Sequence, residues 1–180
     1  ADRVLAEGSH LGRVLAEIGA PAERIRVVHL GVPVEKLAFS ERRDPGDAPV
    51  VGLVAASFRE KKGIEYALEA TARAAVKHPR LRLRVIGDGP LRPRIEARAR
   101  AADLRDRVDL LGSRPYPAYL DELAKAHFLL APSVTAADGD AEGGAPVCLL
   151  EAQASGLPCV ATTHCDIPEV TVPGKSALLA

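Results

Sequence analysis

Two hydrophobic rhythms divide this chain, short unbroken apolar runs and longer stretches in which apolar residues return every three or four positions, and from residue 50 onward they alternate. Val50–Ala55 is a run of the first kind, the pattern of a strand covered on both faces, and residues 63–76 follow with apolar positions at helical spacing. The order then repeats: a strand over Leu81–Ile86, a helix over 90–102, a strand over 108–111, a helix over 116–126, a strand over 128–131, a helix opening at Pro146 and a strand over 158–161. Ahead of this region residues 3–7 read as a short strand. Ser9 reads as the cap of a helix through Leu11, Val14, Leu15 and Ile18 that stops at Gly19 and Pro21, and residues 25–29 as a second strand. Residues 40–49, with Pro45, Gly46 and Pro49, read as a loop. Strands alternating with helices of this length predict βαβ crossovers. The fold class is therefore α/β, a Rossmann-like open parallel sheet with helices on both faces, whose ligands bind at the carboxyl ends of the strands.

The unusual residues fall at those strand ends. Gly143 and Gly144 lead through Ala145 to Pro146, which suits the first turn of a helix because its missing N–H costs nothing there; free amides at such a start attract phosphate. Glu151 lies about 7–8 Å farther along the axis at a rise of about 1.5 Å per residue, a separation that suits a diphosphate and the vicinal hydroxyls of a ribose. Val147, Leu149, Leu150, Ala152 and Ala154 surround it, so a carboxylate sits in an apolar setting and needs a partner; the alternative is a helix residue facing water. Arg59, Lys61 and Lys62 follow a buried strand, where Lys62 and Arg59 are candidates for phosphate contact and Lys61 for solvent, against the plain alternative of a solvated charge run.

Other patterns point to less. Gly87-Asp88-Gly89-Pro90-Leu91-Arg92 opens like a dinucleotide fingerprint but carries Arg92 where the third glycine belongs, which leaves either close ligand approach at Gly87 and Gly89 or a purely structural turn. Asp138, Asp140 and Glu142 have carboxylates for a divalent cation without completing a calcium loop; the commoner outcome is one functional carboxylate among solvated neighbours. His164, Cys165 and Asp166 with Cys159 lack the paired spacing of a zinc site, so no metal ligand is assigned. No Gly-x-Ser-x-Gly elbow is present, and nucleophilic hydrolysis has no candidate site.

Composition narrows the partners. The 180 residues are 47% hydrophobic, enough for a full core, and 24 basic residues balance 24 acidic ones, so no global field draws in nucleic acid or an anionic membrane surface. Any anion site is local. Cys148, Cys159 and Cys165 are odd in number and show no disulfide framework. No apolar run reaches the ~20 residues of a membrane span and no signal-peptide pattern opens the chain, which makes the cytoplasm the default. The chain has no methionine and stops within a strand-like run at Ala180, so it reads as a fragment.

Taken together, Glu60-Lys61-Lys62-Gly63, Val85-Ile86-Gly87-Asp88-Gly89-Pro90, Val108-Asp109-Leu110-Leu111-Gly112, Glu142-Gly143-Gly144, and Leu149-Leu150-Glu151-Ala152 followed by Gly156-Leu157-Pro158-Cys159-Val160-Ala161-Thr162 resemble the retaining glycosyltransferases of family 4 over nearly the whole chain. The resemblance is to the C-terminal, donor-binding half of their two-domain GT-B fold. It implies that residues 1–22 are the end of the N-terminal domain and the interdomain linker, and residues 23–180 the nucleotide-sugar-binding domain, truncated at its C-terminus. It further implies that Glu151 binds the ribose and that Lys62 contacts the diphosphate, with Arg59, from its place after the strand, a candidate to reach the same phosphate in lieu of the usual arginine. Gly143, Gly144 and Ala145 would lie beside phosphate and sugar, Gly87 and Gly89 where backbone nears the donor, and Leu110 along the base. Glu142 would be the catalytic carboxylate near the transferred sugar. Two departures stand out: eight residues separate Glu142 from Glu151 where the family has seven, and Ser57 occupies the position of the usual phosphate arginine.

The implied activity is retaining transfer of a sugar from a UDP- or GDP-sugar to a glycan or lipid-linked acceptor, in polysaccharide or cell-envelope biosynthesis. No metal or other cofactor is implied. The acceptor would be reached through the N-terminal domain, with peripheral contact of the full protein at the inner face of the cell membrane, and the fragment alone would turn over little. A nucleotide-sugar epimerase of the same two-domain shape and a non-catalytic nucleotide-binding module remain open. An NAD-dependent oxidoreductase is the least favoured, given the missing glycine.

Overall fold

A computed structural model of the protein describes residues 2–180; Ala1, first residue of the expected N-terminal segment, lies outside them. Strand β1 (Val4–Ala6), helix α1 (Ser9–Glu17) and strand β2 (Ile25–Val27) make a small unit in which β1 and β2 pair in parallel, Val4 opposite Ile25. The main sheet contains β3 (Val50–Ala55), β4 (Leu81–Ile86), β5 (Val108–Gly112), β6 (Phe128–Ala131), β7 (Cys159–Ala161) and β8 (Ala177–Leu179), in the spatial order β5-β4-β3-β6-β7-β8. Every neighbouring pair is parallel. Helices α2 (Ile64–Ala75), α3 (Arg92–Ala99), α4 (Tyr116–Lys125) and α5 (Val147–Ala154) supply crossovers between successive strands. The expected open parallel α/β sheet is the fold observed, with the strand order of a doubly wound dinucleotide-binding domain.

Alternate residues of the central strands enter two separate cores, which is why those strands are apolar throughout. Leu53 on β3 and Leu129 on β6 pack with Tyr119 and Leu123 of α4 and Leu149 and Ala152 of α5. Val54, one residue on, packs with Ile64, Ala67 and Leu68 of α2 and Ile95 of α3 on the opposite face, with Leu130 against them. Each fully buried leucine or isoleucine contributes roughly 1.5–3 kcal/mol of transfer free energy. At β4 the alternation is plain: Leu81, Leu83 and Val85 are buried, while Arg82 and Arg84 face the other way and Arg84 pairs with Glu122 of α4 at 2.5 Å.

Three local expectations change. Ser9 is the first helical residue of α1 and Gly8 holds the cap position without a side-chain bond; Asp166 accepts the His10 N–H at 2.7 Å and Glu169 the Ser9 N–H at 3.3 Å. Carboxylates from another part of the chain thus do the capping, where the helix dipole favours negative charge. Helix α3 is shorter than residues 90–102, because Arg98 grips Asp103 at 2.8 Å while the chain turns to bury Leu104. Pro146 caps α5 and the helix begins at Val147. The division expected at residue 22 falls between α1 and β2, inside the β1–α1–β2 unit.

Strand order reverses at β3, which lies between β4 and β6, so the segments leaving β3 and β6 diverge and open a crevice at their carboxyl ends. Residues Glu60–Lys62 form one 3-10 turn over that crevice, and Gly63 ends it in the left-handed region with φ +61°. A Cβ on Gly63 would lie 1.8 Å from the carbonyl oxygen of Pro132, just past β6. The turn is also tied down by the Val134 N–H, which donates to the Lys61 carbonyl at 2.9 Å. Gly63→Ala is therefore expected to lose at least about 2 kcal/mol of stability, read from the midpoint of urea unfolding with an unchanged slope; a wild-type midpoint would mean that the turn relaxes freely.

Candidate functional site

The loops after β3 and β6 meet through charge. The Lys62 ammonium lies 2.7 Å from both carboxylate oxygens of Glu142, and the Ser133 hydroxyl donates to Glu142 Oε1 at 2.8 Å. Glu142 is 8% exposed, so this cluster supplies the partners that a desolvated carboxylate requires. The Glu142 N–H donates to His164 Nε2 at 3.3 Å, which leaves the proton of a neutral imidazole on Nδ1. Burial holds the His164 pKa below its ordinary 6.5 although the charge of Glu142 pulls the other way. Val54, Ala56, Leu130, Pro132, Pro146 and Cys148 wall the crevice around Lys62 and Ser133. Burial pushes the Cys148 thiol up to about 12, so it is a protonated wall residue without thiolate reactivity.

Beside this cluster stands Glu151, buried on α5, with Oε1 accepting from the Tyr116 hydroxyl at 2.9 Å. Tyr119, one turn along α4, packs its ring 5.9 Å from that of Tyr116, and its buried hydroxyl lies near Glu151 without a well-formed hydrogen bond among the described residues. A solvated Glu151 is thereby excluded. Between the two glutamates the chain bends at Gly143 and Gly144 before α5 begins. Gly143 is exposed to open space, Gly144 is buried against Glu7, and Ala145 packs on the α4–α5 core.

Lys62, Glu142, Gly143, Gly144, Ala145 and Glu151 are thus brought to one end of the sheet. Arg59 is exposed and borders a different hollow with Glu65, Tyr66 and Arg94, although its charge also acts on Asp140 of the acidic loop. Lys61 is not a free surface cation: it pairs with Asp140 at 2.9 Å and donates to the Ala141 carbonyl at 3.0 Å. A Cβ on Gly87 would lie 1.8 Å from Ala56 O, and one on Gly89 2.9 Å from Phe58 N, so these glycines let the loops after β3 and β4 close on one another. Leu110 packs among the residues of the α2–α3 core and borders a hollow with Arg92 and Arg105, away from Glu151.

The carboxylates of the acidic loop face groups of the protein. Asp138 accepts the Asp140 N–H at 2.9 Å, Asp140 faces Lys61 and Glu142 faces Lys62, so the three carboxylates point to three partners. Among the described residues no three His, Cys, Asp or Glu side chains come together as a metal site. Four site residues escaped the sequence reading. Ser133 and Tyr119 look like ordinary core-edge residues, Tyr116 like a helix-start aromatic, and His164 was weighed only as a zinc ligand; position at a strand's carboxyl end is the one signal that marks Ser133 and Tyr116.

Comparison with known proteins identifies the family and the fold. The family model Glycosyl transferases group 1 matches residues 48–180. The amylovoran biosynthesis glycosyltransferase AmsK of Erwinia amylovora is 38% identical over 166 residues, which are 92% of this chain and 40% of AmsK. The chain thus spans well under half of that relative's length. Among solved structures, Anabaena Alr3699/HepE in complex with UDP-glucose superposes with a TM-score of 0.84 at 19% identity, covering 100% of this chain and 50% of that one. The apo form of the lipopolysaccharide outer core galactosyltransferase WaaB gives 0.76 at 24% identity, covering 100% and 48%. At those identities the likeness is one of fold.

Two outcomes follow from the cluster. Lys62→Met is expected to lower stability by about 1–3 kcal/mol by leaving a buried carboxylate short of a donor, and the Lys62→Met/Glu142→Gln double variant to recover part of the loss in a urea-unfolding cycle. Additive losses would show the pair to be energetically idle. For His164, above its ordinary pKa of 6.5 the imidazole is neutral in folded and unfolded chains alike and its contribution is complete. Below that pH the unfolded chain takes up the proton first, so stability falls until the depressed folded value is passed. In His164→Gln the pH profile of unfolding is expected to be flatter just below pH 6.5.

Proposed function

This chain belongs to the glycosyl transferases group 1, and we propose that the protein transfers a sugar from a UDP- or GDP-sugar to a glycan or lipid-linked acceptor in polysaccharide biosynthesis, with retention at the anomeric carbon. The observation that carries the reading is the convergence of Lys62 and Glu142 from the two loops of the switch-point crevice, with Glu151 on the adjoining helix. In this reading the donor's diphosphate takes Lys62 from Glu142 and rests against the backbone entering α5, while Glu151 accepts from the ribose hydroxyls. Negative charge builds on the diphosphate as the glycosidic bond breaks, and Lys62 and the amides answer it where it forms. Glu142, released from Lys62, then lies beside the transferred sugar.

Arg59 in the arrangement seen does not assist, so the diphosphate charge falls on Lys62 and on the backbone. The catalytic step needs no metal in this scheme. The pairing of β1 with β2 supports assigning the whole β1–α1–β2 unit to the partner half, with the division beyond Val27. No helix among the described residues is long and apolar enough to cross a membrane; we place the protein in the cytoplasm, with peripheral contact at the inner face of the membrane where a lipid-linked acceptor would be met.

Calorimetric titration with UDP and GDP, with and without EDTA, tests the donor site. Binding of one of the two is expected to survive EDTA; its disappearance would transfer the diphosphate to a metal held by the acidic loop. Glu151→Gln is expected to weaken that binding by about tenfold or more, the weight of hydrogen bonds to a charged acceptor, and to erase the preference of the wild-type protein for the ribonucleotide over its 2′,3′-dideoxy counterpart.

A further inference from the structure

The two tyrosines of α4 have no place in the transfer scheme, yet both stand at Glu151, the carboxylate that the scheme gives to the ribose. Glu151 is 8% exposed, and among the described residues the hydroxyl that donates to it in good geometry is that of Tyr116, at 2.9 Å. Tyr116 is 41% exposed and opens α4 directly after the 113–115 connection from β5, so its ring has solvent to turn into. Tyr119 is the reverse case. It is 8% exposed, and its hydroxyl is shut away from water close enough to Glu151 to feel that carboxylate, yet among the described residues it completes no well-formed hydrogen bond. A buried hydroxyl left unbonded is costly, and native structures keep such groups chiefly where another state satisfies them.

We propose that the Tyr116 hydroxyl is a stand-in for a ribose hydroxyl. In the unliganded protein it fills the Glu151 acceptor, and nucleotide binding displaces it toward solvent while the Tyr119 hydroxyl turns to Glu151 as a second donor. The inference rests on Glu151 being the ribose contact. It follows from the need of a buried carboxylate for a donor in both states: a hydroxyl on an exposed ring is given up more readily than one held in the core. The consequence is a tax on affinity, because one charge-assisted bond must break before the ligand's can form.

The test uses the protein itself, its Tyr116→Phe and Tyr119→Phe variants, and UDP, GDP and their 2′,3′-dideoxy counterparts in calorimetry. Tyr116→Phe is expected to bind the preferred ribonucleotide about tenfold more tightly, with little gain for the dideoxy form, which has no hydroxyl to take the vacated place. Tyr119→Phe is expected to bind more weakly without loss of unliganded stability. Unchanged or weaker ribonucleotide binding in a folded Tyr116→Phe protein overturns the proposal, as does unchanged binding in Tyr119→Phe. Equal binding of ribo and dideoxy forms by the wild-type protein instead removes the Glu151 reading beneath it, so the two failures are distinguishable. Should Tyr116→Phe not fold, tyrosine 13Cζ resonances of the wild-type protein decide: the Tyr116 signal is expected to move to the position of a solvated phenol at saturating nucleotide, and an unmoved signal overturns the displacement. With three tyrosines in the chain the spectrum is assignable.

Discussion

The ion pair between Lys62 and Glu142 joins the two loops that leave the sheet where its strand order reverses, and the shape of the crevice follows from it. A carboxylate as buried as Glu142 is tolerable only with a cation and a hydroxyl on it, since an uncompensated buried charge costs several kcal/mol. Lys62 can reach it because the 60–62 turn lies over Pro132, and the turn can lie there because residue 63 has no side chain. Glu142 can reach Lys62 because its loop is pinned one step earlier, by Lys61 on Asp140. The acidic loop is thus a strap that lowers one carboxylate into place, which explains why its neighbours face cations of the protein and one another's backbone.

The same arrangement recurs at Glu151. Each of the two buried glutamates is satisfied by a donor from the protein, Lys62 in one case and Tyr116 in the other, and each donor is attached to a segment that is not itself deep in a core. In the proposed reaction both donors are exchanged, a diphosphate for one and a ribose hydroxyl for the other. Such a site keeps its polar groups fixed and desolvated before the donor arrives, which limits reorganisation when charge develops. The counterweight is lower affinity than an open site would give.

The fold was largely legible because both faces of β3 and β6 are covered, and two-sided burial writes itself into a sequence as unbroken apolar runs. Helix ends were less legible for a stated reason: α1 is capped by Asp166 and Glu169, some 160 residues away, and no local pattern at Ser9 announces that. In the site, Lys62, Glu142 and Glu151 could be singled out because charge at a strand end or in an apolar helix is locally anomalous. Tyr116, Tyr119 and Ser133 could not, since a phenol or hydroxyl at a helix start or strand end is ordinary until its partner is known. For Arg59 and Leu110 sequence neighbourhood is a weaker guide: three residues from Lys62, Arg59 borders another hollow, and Leu110 follows the pleat of β5 against the α2–α3 core.

The eight residues between Glu142 and Glu151 are one more than the resemblance implies, and helix geometry decides where an extra residue can be tolerated. An insertion within α5 would turn every later side chain by about 100° around the axis, carrying Glu151 away from Tyr116 and Leu149 and Ala152 out of the core. The helix instead starts at Val147, and Leu149, Glu151 and Ala152 are all buried on it. Upstream of the helix there is room for an extra residue, since the chain bends at Gly143 and Gly144 and a Cβ on Gly143 would meet nothing within 4 Å. Helical phase is rigid and a glycine bend is not, so the spacing can lengthen in sequence while both carboxylates keep their partners.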